Sequence, residues 1–190
     1  MTLRALSSLA GLALVLVALS PPFGHWAHHD LRGHMAQHLL LGMFAPLALV
    51  LAAPGTFLLR RLPVPAARRA VRLLHAPAAR LAMHPYTALL LDVGALYVLL
   101  LTPLFAATQH SAVLHRAVLF HFFAAGCLFT WSIAGRDPVR DRPHFRTRLF
   151  ALFAAIAAHG TLAKMMYAFG LPRGAGFDLA NMADIRIASK

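Results

Sequence analysis

Five long apolar segments dominate this 190-residue chain and constrain its fold more than any other feature. They cover residues 3–20, 33–53, 85–108, 112–134 and 149–170. Each is long enough, or nearly so, to cross the ~30 Å hydrocarbon core of a bilayer as a helix. Only 13% of the residues are charged, which is too few for a water-facing surface. The sequence therefore predicts an all-α, polytopic transmembrane helix bundle with about five spanning helices in a single domain, residues 1–170.

Arginine clusters between these segments predict the orientation of the bundle. The connection between the second and third segments carries six arginines, and the connection between the fourth and fifth carries five. The other two connections contain one arginine between them, Arg32. Because basic loops stay in the cytoplasm, we expect a cytoplasmic N-terminus and an outer-side tail, residues 171–190. The formal charge of +12 is then a feature of membrane topology, so we expect no nucleic-acid partner.

Local composition predicts further details of the helices. The first segment follows Arg4, as in a signal peptide, but Pro21 makes a poor cleavage site, so we expect a retained helix. Pro46 and Pro103 lie inside apolar segments and should kink them. The Arg- and Ala-rich stretch 63–77 predicts a short amphipathic helix that anionic lipid holds on the inner surface.

The twelve histidines concentrate toward one membrane face. Three lie clearly on the predicted cytoplasmic side: His75, His84 and His144. Nine lie on the outer side or in the outer two-thirds of the bundle: His25, His28, His29, His34, His38, His110, His115, His121 and His159. Such a distribution indicates a function for imidazoles at the outer face.

His34 and His38 are the best candidate metal ligands, because residues four apart share one helix face. At 1.5 Å per residue, His115 should lie at a similar depth. The same rise places two other histidines in a second layer, ~13–17 Å inside: His121 and His159. Three methionines lie beside His34 or near the outer end of the fifth helix: Met35, Met165 and Met166. A structural role is the alternative, because interfacial histidines also bond to headgroups or carbonyls and Met often fills gaps.

Imidazole with thioether and few carboxylates favours copper, especially Cu(I). The first outer connection has only Asp30 as a carboxylate, which is too little for Ca²⁺ or Mg²⁺. Zinc held by histidines alone remains an alternative. The single cysteine, Cys127, excludes an internal disulfide framework and a Cys-pair metal motif. Within the predicted spans, Asp92 needs a partner or a proton, and Lys164 can extend to the interface.

The stretch GHMAQHLLLGMFAPLALVLAAP resembles the multi-span, CtaG-type family of cytochrome c oxidase assembly factors. The shared pattern is an outer His-x-x-x-His that opens an apolar helix, followed by an internal proline and a small-Pro end. In this sequence it comprises His34, His38, Pro46 and Ala53-Pro54. Two later motifs are also similar: His84-Pro85, and LHRAVLFHFFAAGCLFTW with His115, His121, Gly126 and Trp131. The tail with Asp178 resembles the segment that precedes the family's last helix.

This resemblance implies a role in maturing haem–copper oxidase by delivering copper to its binuclear centre. It implies a bacterial inner (plasma) membrane location, no enzymatic activity, and an oxidase subunit and other copper chaperones as partners. His34, His38 and His115 would form the copper port, and the three methionines would be weaker ligands. His121 and His159 would continue the path inward. From their position alone, His25, His28 and His29 would either gather copper at the outer face or only cap the helix. The family also implies helices beyond residue 190.

Two alternatives remain open from the residues. A membrane b-type haem protein would ligate iron through histidines on facing helices, such as His38, His121 or His159. A metal-free scaffold would bind oxidase subunits only. A hydrolase or transferase is not indicated, because the sequence offers no nucleophile–base pair, phosphate loop or carboxylate pair.

Overall fold

The structure is a computed structural model, and it describes residues 3–137 and 142–169. Within these ranges the chain contains α-helices and π-helical turns and no strand, which confirms the predicted all-α class. The predicted outer tail, 171–190, lies outside the described residues.

The described residues form twelve α-helices and two π-helical turns, in the following order. The first half contains α1 (Leu3–Ala18), α2 (Pro21–His29), α3 (Leu31–Leu39), a π turn (Leu40–Phe44), α4 (Ala45–Leu51), α5 (Pro54–Arg61) and α6 (Val64–Leu74). The second half contains α7 (Pro77–Ala82), α8 (Pro85–Leu89), a π turn (Leu90–Gly94), α9 (Ala95–Leu101), α10 (Leu104–His110), α11 (Ala112–Ala134) and α12 (Phe145–Phe169).

Three continuous helices among the described residues are long and apolar enough to cross a membrane. They are Arg32–Leu51, which joins α3 to α4 through the first π turn, and the long helices α11 and α12. Two further pairs of helices are each bent at a short break, and the number of candidate spans is five if each bent pair counts as one span. Helices α1 and α2 meet at 55°, and Pro85–Leu101 meets α10 at 79°. The chain is therefore a multi-pass membrane protein with three to five candidate spans.

The two prolines that were expected to kink helices behave differently. Pro103 follows Thr102, which adopts an extended backbone and ends α9, so the predicted span 85–108 is not one straight helix. The cause is the proline ring, which disfavours helical geometry in the residue before it. Pro46 instead lies in the first turn of α4, directly after the π turn, and Arg32–Leu51 continues through it as one span.

The first outer connection, predicted as a loop, is mostly the helix α2. Pro21 and Pro22 open this helix. Proline is favoured in the first helical turn, where a missing N–H costs no hydrogen bond. The connection therefore presents its histidines on a helix rather than on an irregular loop.

The two arginine-rich connections lie at the same end of the bundle. Asp137, which follows α11, accepts hydrogen bonds from the Thr56 backbone N–H at 2.7 Å and the Thr56 hydroxyl at 2.6 Å. Thr56 is in the first turn of α5, where a carboxylate satisfies exposed N–H groups and the helix dipole. His28 and His115 meet at the other end, with ring centroids 4.7 Å apart. The meeting of the two arginine-rich connections at one end agrees with the loop-charge prediction, and the end that faces the cytoplasm stays a prediction.

The Asp137 contact predicts a measurable effect on stability. We expect Asp137→Ala to lower the free energy of unfolding by ~1–2 kcal/mol, because the backbone N–H and hydroxyl of Thr56 lose their acceptor. Thr56→Val keeps the backbone bond and should cost about half as much. Thermal unfolding in detergent micelles measures both variants. An Asp137→Ala midpoint equal to that of the wild type would show that this contact does not hold the two connections together.

Helix α11 lies at the centre of the bundle, packed against the second span, α8, α10 and α12. The main apolar cluster surrounds its middle and contains Leu99, Leu100, Phe105, Phe122 and Leu162. Gly126 allows α11 to approach the second span closely. A Cβ at this position would fall on the carbonyl oxygen of Gly42 and lie 2.8 Å from the Gly42 carbonyl carbon. This close contact fixes α11, and with it His115, relative to the second span.

Candidate metal site

The second span presents two imidazoles in direct contact. Asp30 caps α3 by accepting a hydrogen bond from the Arg32 backbone N–H at 2.7 Å, which fixes where the helix begins. His34 and His38 follow one turn apart, and their Nε2 atoms are 2.9 Å from each other. The predicted pairing on one helix face is therefore present in the structure.

This imidazole pair lies against the apolar core. His34 is only 2% exposed, and its ring packs edge-on against Phe105 with centroids 4.7 Å apart. His38 is half-buried and packs in the same way against Phe122, at 4.8 Å. Because both aromatic rings belong to the main apolar cluster, the pair forms the inner limit of the outer polar region.

His115 and His28 extend the pair toward the surface. His115, in the first turn of α11, is 7% exposed, and its ring centroid lies 6.0 Å from that of His34. The ring of His28, on α2, is 4.7 Å from His115 and exposed. Four imidazoles from three helices thus form a line from the surface to the His34–His38 pair. We call His28, His115, His34 and His38 the imidazole line.

His25 and His29 do not join this line through any ring contact that the structure shows. Their rings pack on each other with centroids 4.5 Å apart, and both side chains are exposed on α2. The sequence placed these two residues in one group with His28. The helical turn of α2 instead separates His28 from them, because it directs His28 toward α11.

His121 and His159 belong to a second polar group, further along α11 and α12, and both side chains are exposed on the surface of the bundle. The ring nitrogen His121 Nε2 lies 3.0 Å from the Leu91 carbonyl oxygen, and His159 Nδ1 lies 2.9 Å from the Ala155 carbonyl oxygen. Both rings interact electrostatically with the carboxyl group of Asp92, in the second π turn. Asp92, which needed a partner or a proton, therefore has two imidazoles as neighbours, and a role of His121 and His159 in metal binding stays a prediction.

The three methionines that were predicted as weaker metal ligands are partly buried side chains. Met35 and Met166 are partly buried and pack against the main apolar cluster, on which the rings of His34 and His38 also rest. Met165 is half-buried on α12. Packing of this kind is the usual role of Met, and sulfur ligation by these residues stays a prediction.

Gln37 is a buried polar residue that sequence reasoning missed. Its side chain is 3% exposed, and Nε2 donates to the Ala18 carbonyl oxygen at 2.8 Å, which ties the end of α1 to the second span. The atom Gln37 Oε1 is buried without a hydrogen-bond partner, as are Nδ1 of His34 and Nδ1 of His38. An amide is not a preferred copper ligand, so no sequence pattern pointed to Gln37.

The imidazole pair is suited to holding one cation between two nitrogens. A hydrogen bond between two Nε2 atoms requires one N–H and one lone pair. Two metal–nitrogen bonds of ~2 Å would separate these atoms by roughly 3.3–4 Å, so metal binding needs only a small opening of the rings. Within residues 3–137 and 142–169, no group of three or more His, Cys, Asp or Glu side chains is already arranged around a metal position.

Comparison with protein families identifies the chain. A family model described as cytochrome c oxidase caa3 assembly factor (Caa3_CtaG) matches residues 1–186. The chain belongs to this family. The match confirms the resemblance that was carried by the His-x-x-x-His helix and the later motifs. Membership in an assembly-factor family points to a non-catalytic role in the assembly of cytochrome c oxidase.

Individual relatives come from mycobacteria. Uncharacterized proteins of Mycobacterium bovis and Mycobacterium tuberculosis are each 39% identical over 133 residues, and one from Mycobacterium leprae is 35% identical over 133 residues. The matched region is 66% of this chain and 20% of each relative, so the chain spans about a fifth of the length of these relatives. No solved structure matches the chain.

Proposed function

We propose that this assembly factor binds Cu(I) at the imidazole line and delivers it to the copper centre of cytochrome c oxidase. Copper is the cargo, and the protein acts as a carrier rather than an enzyme. The single observation that supports this proposal best is the contact between His34 and His38 at the end of the imidazole line. An exposed imidazole at one end of the line, His28, would provide an entry route, and the pair at the other end, with His34 buried and His38 half-buried, would provide a binding position.

The chemistry of the line suits transient binding of a soft cation. Neutral imidazole is a good ligand for copper. In the His34–His38 pair, Cu(I) would occupy the position between the two Nε2 atoms, and the N–H hydrogen on one ring would move to its own Nδ1. Because Phe105 and Phe122 pack against the two rings, water is excluded from the inner side of the pair. His115 lies close enough to accept the cation on its way in or out.

The proposed transfer takes place at the outer face of the bacterial inner (plasma) membrane. An oxidase subunit that carries the copper centre is the proposed recipient, and other copper chaperones are the proposed donors. His121 and His159, the neighbours of Asp92, would extend the path inward along the bundle. Loop charge supports the outer location, because the arginine-rich connections lie at the opposite end from the imidazole line.

A test in cells separates this function from a metal-free scaffold. We expect a bacterial strain that lacks its own family member to regain caa3 oxidase activity with the wild-type chain. With His34→Ala/His38→Ala, oxidase activity should fall at least ~10-fold at limiting copper. It should recover when copper is added, because copper in excess can bind to the oxidase without a carrier.

The matched control is His25→Ala/His29→Ala, which removes two imidazoles from the same end of the bundle and should retain activity. Full activity of the His34→Ala/His38→Ala strain at limiting copper would favour the scaffold instead. A near-stoichiometric Soret band in the purified wild-type protein would favour the b-type haem protein.

A further inference from the structure

The helices α5, α6 and α7, between the second and third spans, contribute no side chain to the core. None of their residues is buried. Large apolar side chains among them are strongly exposed, with Phe57 at 61%, Val64 at 64% and Leu73 at 71%. These helices connect two membrane-spanning segments, so they lie at the membrane boundary. Their apolar surface is therefore not covered by the rest of the described chain.

Helix α6 is amphipathic. At 100° per residue, its three arginines occupy one arc of about 100°: Arg68, Arg69 and Arg72. The opposite side carries only apolar residues: Ala66, Ala67, Ala70, Val71 and Leu74. A helix with this pattern next to membrane spans is typical of one that lies in the interface, with its apolar side toward the acyl chains. The structure thus confirms the helix predicted for residues 63–77.

An open groove of about 500 Å³ lies between α5 and α6. Its basic residues are Arg60, from α5, and Arg68, from α6. Its apolar walls include Leu59, Leu62, Val64 and Val71. Two guanidinium groups beside an apolar surface match a molecule with an anionic head and an apolar body.

The charge around the groove favours an anion. Residues 54–84 contain six arginines and no aspartate or glutamate. The carboxylate of Asp137, which contacts the start of α5, accepts hydrogen bonds from Thr56. Arginine binds phosphate oxygens through two parallel hydrogen bonds, which makes it the preferred residue for phosphate recognition.

We propose that the α5–α6 groove binds one anionic phospholipid from the surrounding bilayer. Arg60 and Arg68 bind its phosphate, and the apolar wall contacts the glycerol and upper acyl carbons. The bound lipid holds α6 parallel to the membrane surface and fixes the connection between the second and third spans. This site is independent of copper binding, because it lies at the opposite end of the bundle from the imidazole line.

Native mass spectrometry of the full chain, released from nanodiscs of mixed phosphatidylglycerol and phosphatidylcholine, tests this site. We expect the wild type to retain one phosphatidylglycerol, and Arg60→Gln/Arg68→Gln to reduce that retention about 25-fold, or five-fold per guanidinium. The matched control is Arg69→Gln/Arg72→Gln, which removes the same charge from α6 outside the groove and should retain the lipid.

Any of three other results would contradict the proposed lipid site. Equal loss in the two double variants would mean diffuse attraction of the basic helix to the bilayer. Unchanged retention in Arg60→Gln/Arg68→Gln would place the lipid elsewhere. Displacement of the lipid by excess glycerol phosphate would mean that a soluble phosphate compound is the occupant. Circular dichroism and the thermal midpoint verify that each variant is folded.

Discussion

Gly126→Ala is expected to lower the free energy of unfolding by about 3 kcal/mol or more, the upper range for overpacking a core. The added methyl group would meet the backbone carbonyl of Gly42, and Pro46 Cγ would lie 3.1 Å away. Backbone cannot rotate aside as a side chain can, so α11 would have to move as a whole. His115 and Phe122 would move with it, which would also disturb the imidazole line.

Two other glycines provide matched controls for this variant. Gly160→Ala, in the middle of α12, places its Cβ in open space. Gly42→Ala places its Cβ 3.9 Å from the Phe122 carbonyl oxygen, an ordinary contact distance. Both should be neutral or stabilising by up to ~1 kcal/mol, because Ala is the better helix former. Thermal unfolding in detergent micelles compares the three, and equal midpoints for Gly126→Ala and Gly160→Ala would contradict the close contact.

Span positions and the segregation of arginine could be predicted from the sequence because both depend on local composition. Apolar length defines a membrane helix, and loop charge places the arginine-rich connections at one end. The contact between Asp137 and Thr56 bears out this placement. Proline effects were less predictable. Pro103 breaks its helix, whereas Pro46 is accommodated next to a π turn that no sequence pattern indicates.

Part of the candidate site could also be predicted. The pairing of His34 with His38 follows from helix periodicity alone. The contact of His28 with His115 depends on how α2 packs against the end of α11, so it is set by tertiary structure. Asp92 illustrates the same limit, since its neighbours His121 and His159 come from two other helices. Residues brought together by different helices cannot be assigned to one site from spacing within a single helix.

His34→Ala/His38→Ala is expected to weaken Cu(I) binding by at least about 100-fold. Loss of a residue that only hydrogen-bonds to a metal ligand already lowers metal affinity by roughly 10–100-fold. Loss of both proposed ligands, His34 and His38, should lower it at least as much. Removing His115 alone should weaken binding less, because its ring centroid is 6.0 Å from that of His34 and outside the central pair. Met35→Leu should have little effect if that side chain only packs against the apolar cluster.

Competition with a chromophoric Cu(I) chelator, using purified protein in detergent, tests the central proposal most directly. Wild type, His34→Ala/His38→Ala and the control His25→Ala/His29→Ala are titrated under reducing, anaerobic conditions after their thermal midpoints show that all are folded. The proposal predicts that the wild type and the control bind Cu(I) with equal affinity and that the His34→Ala/His38→Ala variant loses it. Equal affinity in all three proteins would contradict a copper site at the imidazole pair.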